Sequence, residues 1–216
     1  LREIDLDVQS RNRASSLETV RLINRAGIAL DEKEALSRAK NGFVTGELAA
    51  EIVLAKADAG ENPLLRPYLP GGGRSDNPYV NFYWDYCGQG RAAYVHIEYI
   101  SMEEALAAIE NAGGVSVLAH PGQNLKGKED MLPSIIDLGI EGIEAYSSYH
   151  SPEQSLYYKQ QADSYGLLVS GGSDFHGKTK PAIHMGRFGL DGGGYDMVDS
   201  LRLALKGKKG GGKYRV

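Results

Sequence analysis

Gly171-Gly172-Ser173-Asp174-Phe175-His176-Gly177 follows the apolar run Leu167-Leu168-Val169, and the reading of this stretch decides the fold. A short apolar run bounded by glycines reads as a buried strand. It ends in a carboxylate and an imidazole two residues apart. Glycine lets the backbone turn sharply there, and oxygen and nitrogen donors of this type suit Mn²⁺, Fe²⁺ or Zn²⁺. The competing reading is a solvated turn in which Asp174 caps backbone amides and His176 is incidental, because Asp beside Gly is common turn chemistry.

Two further strands have the same form. Val115-Ser116-Val117-Leu118-Ala119 runs into His120-Pro121-Gly122, and proline cannot continue the ladder, so His120 is placed at the carboxyl end of its strand. Ile140 to Tyr146 makes a third strand, followed by a polar loop that carries His150. The segments between them read as helices. Ser101-Met102-Glu103-Glu104 and Ser151-Pro152-Glu153-Gln154 are capping-box patterns, the second with proline at the first helical position and Gly166 as its stop. A weaker helix over 132–138 needs Pro133 in its first turn. Strands alternating with helices predict a parallel sheet, and in barrels of this kind the loops after the strands build the active site.

The first 92 residues differ in character. Ser15-Ser16-Leu17-Glu18, Asp31-Glu32-Lys33-Glu34 and Thr45-Gly46-Glu47-Leu48 each predict a helix start. From about Asn62 to Arg91 the chain combines Pro63, Pro67, Pro70 and Gly71-Gly72-Gly73 with Tyr68, Tyr79, Phe82, Tyr83, Trp84 and Tyr86. Two readings stand: the aromatics pack this segment onto its surroundings, or they form a lid that stacks on a nucleobase while Arg74 meets a phosphate. His150 precedes a helix whose free amides favour an anion, which suggests a catalytic contact to substrate or leaving group. Arg187 is a second candidate for gripping phosphate oxygens, since a guanidinium holds two at once. The tail over 207–216 is glycine-rich and basic and reads as flexible.

Composition narrows the class. The chain has 216 residues and a formal charge of −4, which argues against broad electrostatic binding to nucleic acid. No apolar stretch is long enough to span a bilayer, so no membrane partner is expected. The lone Cys87 excludes an internal disulfide and fits a reducing, cytoplasmic setting. Packing is its expected role, because nothing nearby in sequence activates a thiolate.

Val-Leu-Ala-His120-Pro, Gly-Ile-Glu144-Ala-Tyr, His150-Ser-Pro-Glu-Gln and Gly-Ser-Asp174-Phe-His176-Gly together resemble the carboxyl-terminal half of the polymerase and histidinol phosphatase (PHP) superfamily, and within it the stand-alone bacterial metal-dependent phosphoesterases. The resemblance implies an α/β fold, with 93–206 as the carboxyl-terminal part of a distorted seven-stranded β/α barrel and 1–92 as a small, mainly helical insertion with the aromatic loop. It implies hydrolysis of phosphate esters by a metal-activated water, with two or three divalent metals (Mn, Fe, Zn or Mg). By motif position, His120, Asp174 and His176 match metal ligands of the family. Substrates implied are phosphorylated small molecules such as nucleoside 3′,5′-bisphosphates, short oligoribonucleotides and, less readily, histidinol phosphate.

The chain also departs from the family. Its histidines are His96, His120, His150, His176 and His184, and none forms the His-x-His pair with which the family's barrel opens. The expectation is therefore an incomplete fragment, inactive alone, whose missing amino-terminal half is its necessary partner. A non-catalytic binding or regulatory module that keeps part of a barrel is the alternative.

Overall fold

The computed structural model describes residues 1–190, 192 and 194–211. The chain divides into two compact units. One holds Arg2–Tyr99 together with His176–Ala182, and the other holds Ile100–Phe175 with the described part of Ile183–Val216. This division falls later than the 92/93 boundary read from composition, and it separates Asp174 from His176.

The amino-terminal unit is helical. α1 (Arg2–Arg25) buries Ser16, Thr19, Val20 and Ile23. Ser15 and Ser16 do not start a helix as expected; they lie inside α1, and both hydroxyls donate to the Asn12 carbonyl. A serine that back-bonds within the preceding turn is compatible with a helix interior. Ser16 Oγ also accepts the Val44 N–H at 2.9 Å. The other two start signals hold. Asp31 caps α2 (Glu32–Arg38) by accepting from Glu34 N–H, and Thr45 caps α3 (Gly46–Leu54) by accepting from Leu48 N–H. Val20, Ile23, Ile28, Ile52, Val53 and Phe82 form the core.

The aromatic segment belongs to that core. α4 (Pro78–Phe82) runs into a π-type turn over Tyr83–Cys87. Tyr68 and Phe82 are buried and meet edge to face, with ring centroids 5.6 Å apart. The packing reading accounts for these rings, while Trp84 remains exposed.

In the carboxyl-terminal unit the capping signals appear as expected, and β1 comes out short. α5 (Met102–Asn111) begins with the complete Ser101/Glu104 capping box. β1 is only Val117–Leu118, followed by the single turn α6 (Pro121–Asn124) and by α7 (Leu132–Asp137), which carries its proline in the first turn. β2 spans Gly142–Ser147. α8 (Pro152–Tyr165) has its own capping box at Ser151 and ends on Gly166 at φ 66°, the left-handed stop that glycine supplies. β3 is Leu168–Gly172 and α9 is Tyr195–Gly211.

The described strands make one parallel sheet in the order β1-β2-β3. β2 carries an irregularity: Glu144 pairs with Ser170 but Tyr146 pairs with Gly171, so Ala145 is an extra residue. Ile143 and Ala145 pack with Leu132, Ile135, Tyr158 and Ala162 to form this unit's core. Residues 207–211, assigned by composition to a flexible tail, are the last turns of α9, and Lys208 Nζ reaches Glu141 Oε2 at 2.6 Å. Burial pushes the Glu141 carboxyl up, but the Lys208 ammonium and the Ser116 N–H outweigh it and leave the group below its ordinary range. Among the described residues no helix is long and apolar enough to cross a membrane.

Candidate functional site

The ends of β1 and β3 each carry a strained position. Among the described residues, His120 (φ 29°) and Asp174 (φ 53°) are the non-glycine residues with left-handed backbone. Such conformations cost of order 1–3 kcal/mol each and persist only where the surroundings enforce them. At His120 the enforcement is visible. Pro121 starts α6 immediately after it, and the His120 backbone N–H donates to Glu144 Oε2 at 2.7 Å. Glu144, inside β2, thus ties that strand to the exit of β1.

Tyr149 joins the two strained residues, and sequence reasoning missed it. Its hydroxyl donates to Asp174 Oδ2 at 2.6 Å, and its ring lies edge-on to the His120 imidazole at 5.6 Å. The signal was present only as a tyrosine in the polar loop after β2, indistinguishable there from any surface tyrosine. His120 Nδ1 is buried and has no hydrogen-bond partner among the described residues, and neither has Ser147 Oγ at the end of β2. An unsatisfied buried imidazole nitrogen costs about 1–3 kcal/mol and calls for a ligand, an ion or a water.

The glycines of the motif serve a purpose other than the expected one. Gly171 and Gly172 are strand residues, and a Cβ would stand 2.8 Å from Phe188 Cε2 at the first and 2.8 Å from Glu144 Oε1 at the second. Close approach requires them; the sharp turn is made by Asp174.

His150 is not a free acid or base in this geometry. Nδ1 lies 2.8 Å from the Ala145 carbonyl and Nε2 accepts the Gly122 N–H at 3.0 Å, contacts that suit the tautomer with its hydrogen on Nδ1. The ring also packs on Tyr158 with centroids 5.1 Å apart. Proton donation to a leaving group would break the Gly122 contact. Gly122 is glycine because a Cβ would stand 2.6 Å from His150 Cδ2.

The remaining candidates disperse. Arg74, expected to be an open phosphate contact, forms a two-point pair with Asp85 (Nε–Oδ2 3.0 Å, Nη2–Oδ1 2.9 Å), and Tyr68 donates to the same Oδ2 at 2.7 Å. The planar fork is thereby committed to a carboxylate of its own unit. Arg187 is exposed, and its backbone N–H donates to the His184 carbonyl. His176 is exposed and heads the turn Gly177–Thr179 in the amino-terminal unit. Among the described residues no three His, Cys, Asp or Glu side chains stand close enough to hold a metal ion. His120 Nδ1 and the Asp174 carboxylate have the right chemistry for two donors of a metal site, and among the described residues a third is not assembled beside them.

No family model matches the chain. Over 90 residues it is 36% identical to phosphoribosyl 1,2-cyclic phosphate 1,2-diphosphodiesterase of Eggerthella lenta, a match covering 42% of this chain and 34% of that protein. Over 94 residues it is 38% identical to 3′,5′-nucleoside bisphosphate phosphatase of Chromobacterium violaceum, covering 42% of this chain and 33% of that one. The chain resembles the PHP-type phosphoesterases. It spans about a third of the length of the curated relatives it matches. A crystal structure of a candidate metal-dependent phosphoesterase from Bifidobacterium adolescentis superposes with a TM-score of 0.62 at 24% identity, over 90% of this chain and 64% of that one. At that identity the likeness is one of fold alone.

Proposed function

We propose that this chain supplies carboxyl-terminal strand ends of a divalent-metal-dependent phosphoesterase with a PHP-type barrel, acting in the cytoplasm on phosphate monoesters such as nucleoside 3′,5′-bisphosphates or short oligoribonucleotides. The observation that carries the reading is the pairing through Tyr149 of two residues with strained backbone, Asp174 and His120, the buried Nδ1 of the latter having no hydrogen-bond partner among the described residues. The relatives support the reaction class, since both are named for cleaving phosphate esters. His120 and Asp174 are the donors proposed for the metal, and His176 keeps its place on motif spacing alone. A divalent metal supplies a bound water of lowered pKa and neutralises phosphoryl oxygens. The chain's own residues set position: Glu144 fixes the His120 backbone, and Tyr149 fixes the Asp174 oxygen it donates to. Arg187 is retained as a candidate phosphate contact because it is exposed and has no ion-pair partner among the described residues.

The second reading, a non-catalytic binding module, is favoured by the lack of a three-donor cluster among the described residues. Metal analysis and phosphatase assay of the protein with its full reading frame decide between the two. Turnover that is lost together with metal in Asp174→Asn supports the phosphoesterase. A full-length protein that retains no metal and no turnover supports the module.

A further inference from the structure

A cleft of about 470 Å³ lies wholly within the carboxyl-terminal unit, between α8 and α9 and over the start of β3. Leu167 and Val169, two residues apart and therefore on one face, line it together with Leu190 and Met197. All four are half-buried, which leaves an apolar floor open on this side. His120 and Asp174 lie at the opposite, carboxyl ends of their strands, and neither lines the cleft.

Polar groups from three elements converge above that floor. Lys159 of α8 donates to Asp163 Oδ2 at 2.7 Å, one turn along the same helix. That hydrogen bond holds the ammonium above its ordinary range, and Tyr146 of β2 and Asp196 of α9 act on it more weakly in the same direction. Lys159 and Asp163 answer each other. Asp196 is in contact with no cation among the described residues, and the half-buried Tyr146 hydroxyl has no hydrogen-bond partner among them. The cleft thus presents two carboxylates against one ammonium, and the unmatched charge stands beside an apolar surface.

An anion meets the excess carboxylate, while a neutral apolar molecule leaves Asp196 unanswered. A bare ammonium ion answers the charge and leaves the floor in water. An ammonium carried on an apolar body uses both, through a charge-assisted hydrogen bond and through burial of its hydrocarbon. The volume lies within the range of small-ligand clefts.

We propose that this cleft binds a small organic amine in its ammonium form, with the nitrogen between Asp196 and the Tyr146 hydroxyl and an aryl or short alkyl body on the floor of Leu167, Val169, Leu190 and Met197. The ligand carries no phosphate and needs no metal, so the site stands apart from the phosphoesterase reading.

Met197 is one of four methionines, and Met102, Met131 and Met185 line no part of the cleft. Titration of the whole chain, labelled with ¹³C at the methionine methyls, with 2-phenylethylammonium in phosphate buffer therefore tests the proposal. The Met197 signal should shift saturably, with a Kd on the order of 1 mM for so small a ligand, while the other three stay in place. 2-Phenylethanol keeps the body without the charge and should bind about fivefold more weakly, the modest share of an exposed charge pair. 3-Phenylpropanoate should bind more weakly still, and added salt should narrow the gap between amine and alcohol. Asp196→Asn should bring the amine to the level of the alcohol and leave the alcohol unaffected. Glu32→Gln removes the same charge from an exposed position of the other unit and should bind as the parent does. Ser200→Phe changes an exposed position of α9 that lines the cleft, so its ring should fill the space and abolish binding of both. No saturable shift at Met197, equal shifts at all four methyls, equal affinity for amine and alcohol, or amine binding unaltered in Asp196→Asn overturns the proposal, whatever the metal site does.

Discussion

Tyr149 donates its hydroxyl to Asp174 Oδ2 at 2.6 Å while its ring lies edge-on to His120, so one side chain from the loop after β2 organises the ends of both β1 and β3. A hydrogen bond to an ionised group contributes roughly 1.5–3 kcal/mol. Tyr149→Phe should keep the ring contact and lose only the hydroxyl, costing about that much in urea denaturation. If His120 and Asp174 hold metal in the full-length protein, the same variant should weaken metal affinity roughly tenfold or more, as loss of a supporting hydrogen bond does elsewhere. Normal stability and normal metal content together would show that the contact carries no load.

Gly122 and His150 form a second coupled pair. Gly122→Ala puts a methyl 2.6 Å from His150 Cδ2 and should destabilise the chain by about 1–3 kcal/mol. His150→Ala removes two backbone hydrogen bonds and a ring contact and should cost about 2–4 kcal/mol. In the double variant the methyl occupies space the imidazole has vacated. The combined loss should therefore fall short of the sum by at least about 0.5 kcal/mol. Strict additivity in a double-mutant cycle would contradict the packing described.

Arg74→Ala should act on stability, not on substrate choice. The Asp85 pair is half-exposed but has two-point geometry, so a loss near 1 kcal/mol is expected, with Tyr68 left as the remaining donor to Asp85. Specificity constants of the complete enzyme for a nucleotide and for a small aryl phosphate should change by the same factor. A selective loss on the nucleotide would restore Arg74 as a substrate contact.

Burial, reinforced by the charge of Glu47, pushes the Cys87 thiol from 9.0 up to about 12. Below pH 9.0 the thiol keeps its proton whether folded or unfolded, and its contribution to stability is fully present. Above that value the unfolded chain releases the proton while the fold retains it, so stability falls until the pH passes about 12. Tyr68, Tyr83 and Tyr86 are raised as well, each chiefly by burial, and act in the same direction. The urea midpoint of the amino-terminal unit should therefore be lower at a pH between those two values than at neutral pH. A thiol reagent at neutral pH should modify Cys87 only after denaturation.

What the sequence disclosed was local. The capping boxes at Ser101 and Ser151, the caps at Asp31 and Thr45, and the stop at Gly166 are contained in a few consecutive residues, and all appear as read. The strand end at His120 was legible for the same reason, since proline marks where a strand stops, whereas Gly171 and Gly172 fall inside β3. Partnership across the chain was not legible. Arg74 reads as open until Asp85 is brought to it, His150 reads as free until Gly122 and Ala145 take its two nitrogens, and Tyr149 carries no mark of its role. The start expected at Ser15-Ser16 failed because a hydroxyl that caps an amide in one context bonds to the preceding turn in another.

The extra residue in β2 bears on how such a sequence can change over time. Ala145 has no counterpart on β3, and its carbonyl is the one His150 Nδ1 approaches. Deleting one residue here would restore even pairing and reverse the facing of every side chain on one flank of the deletion. It would also remove the acceptor that anchors the His150 loop. No sequence of small steps leads from one register to the other, because half an insertion does not exist. The lineage of this segment should therefore show substitutions on either side of position 145 and an unchanged length across it.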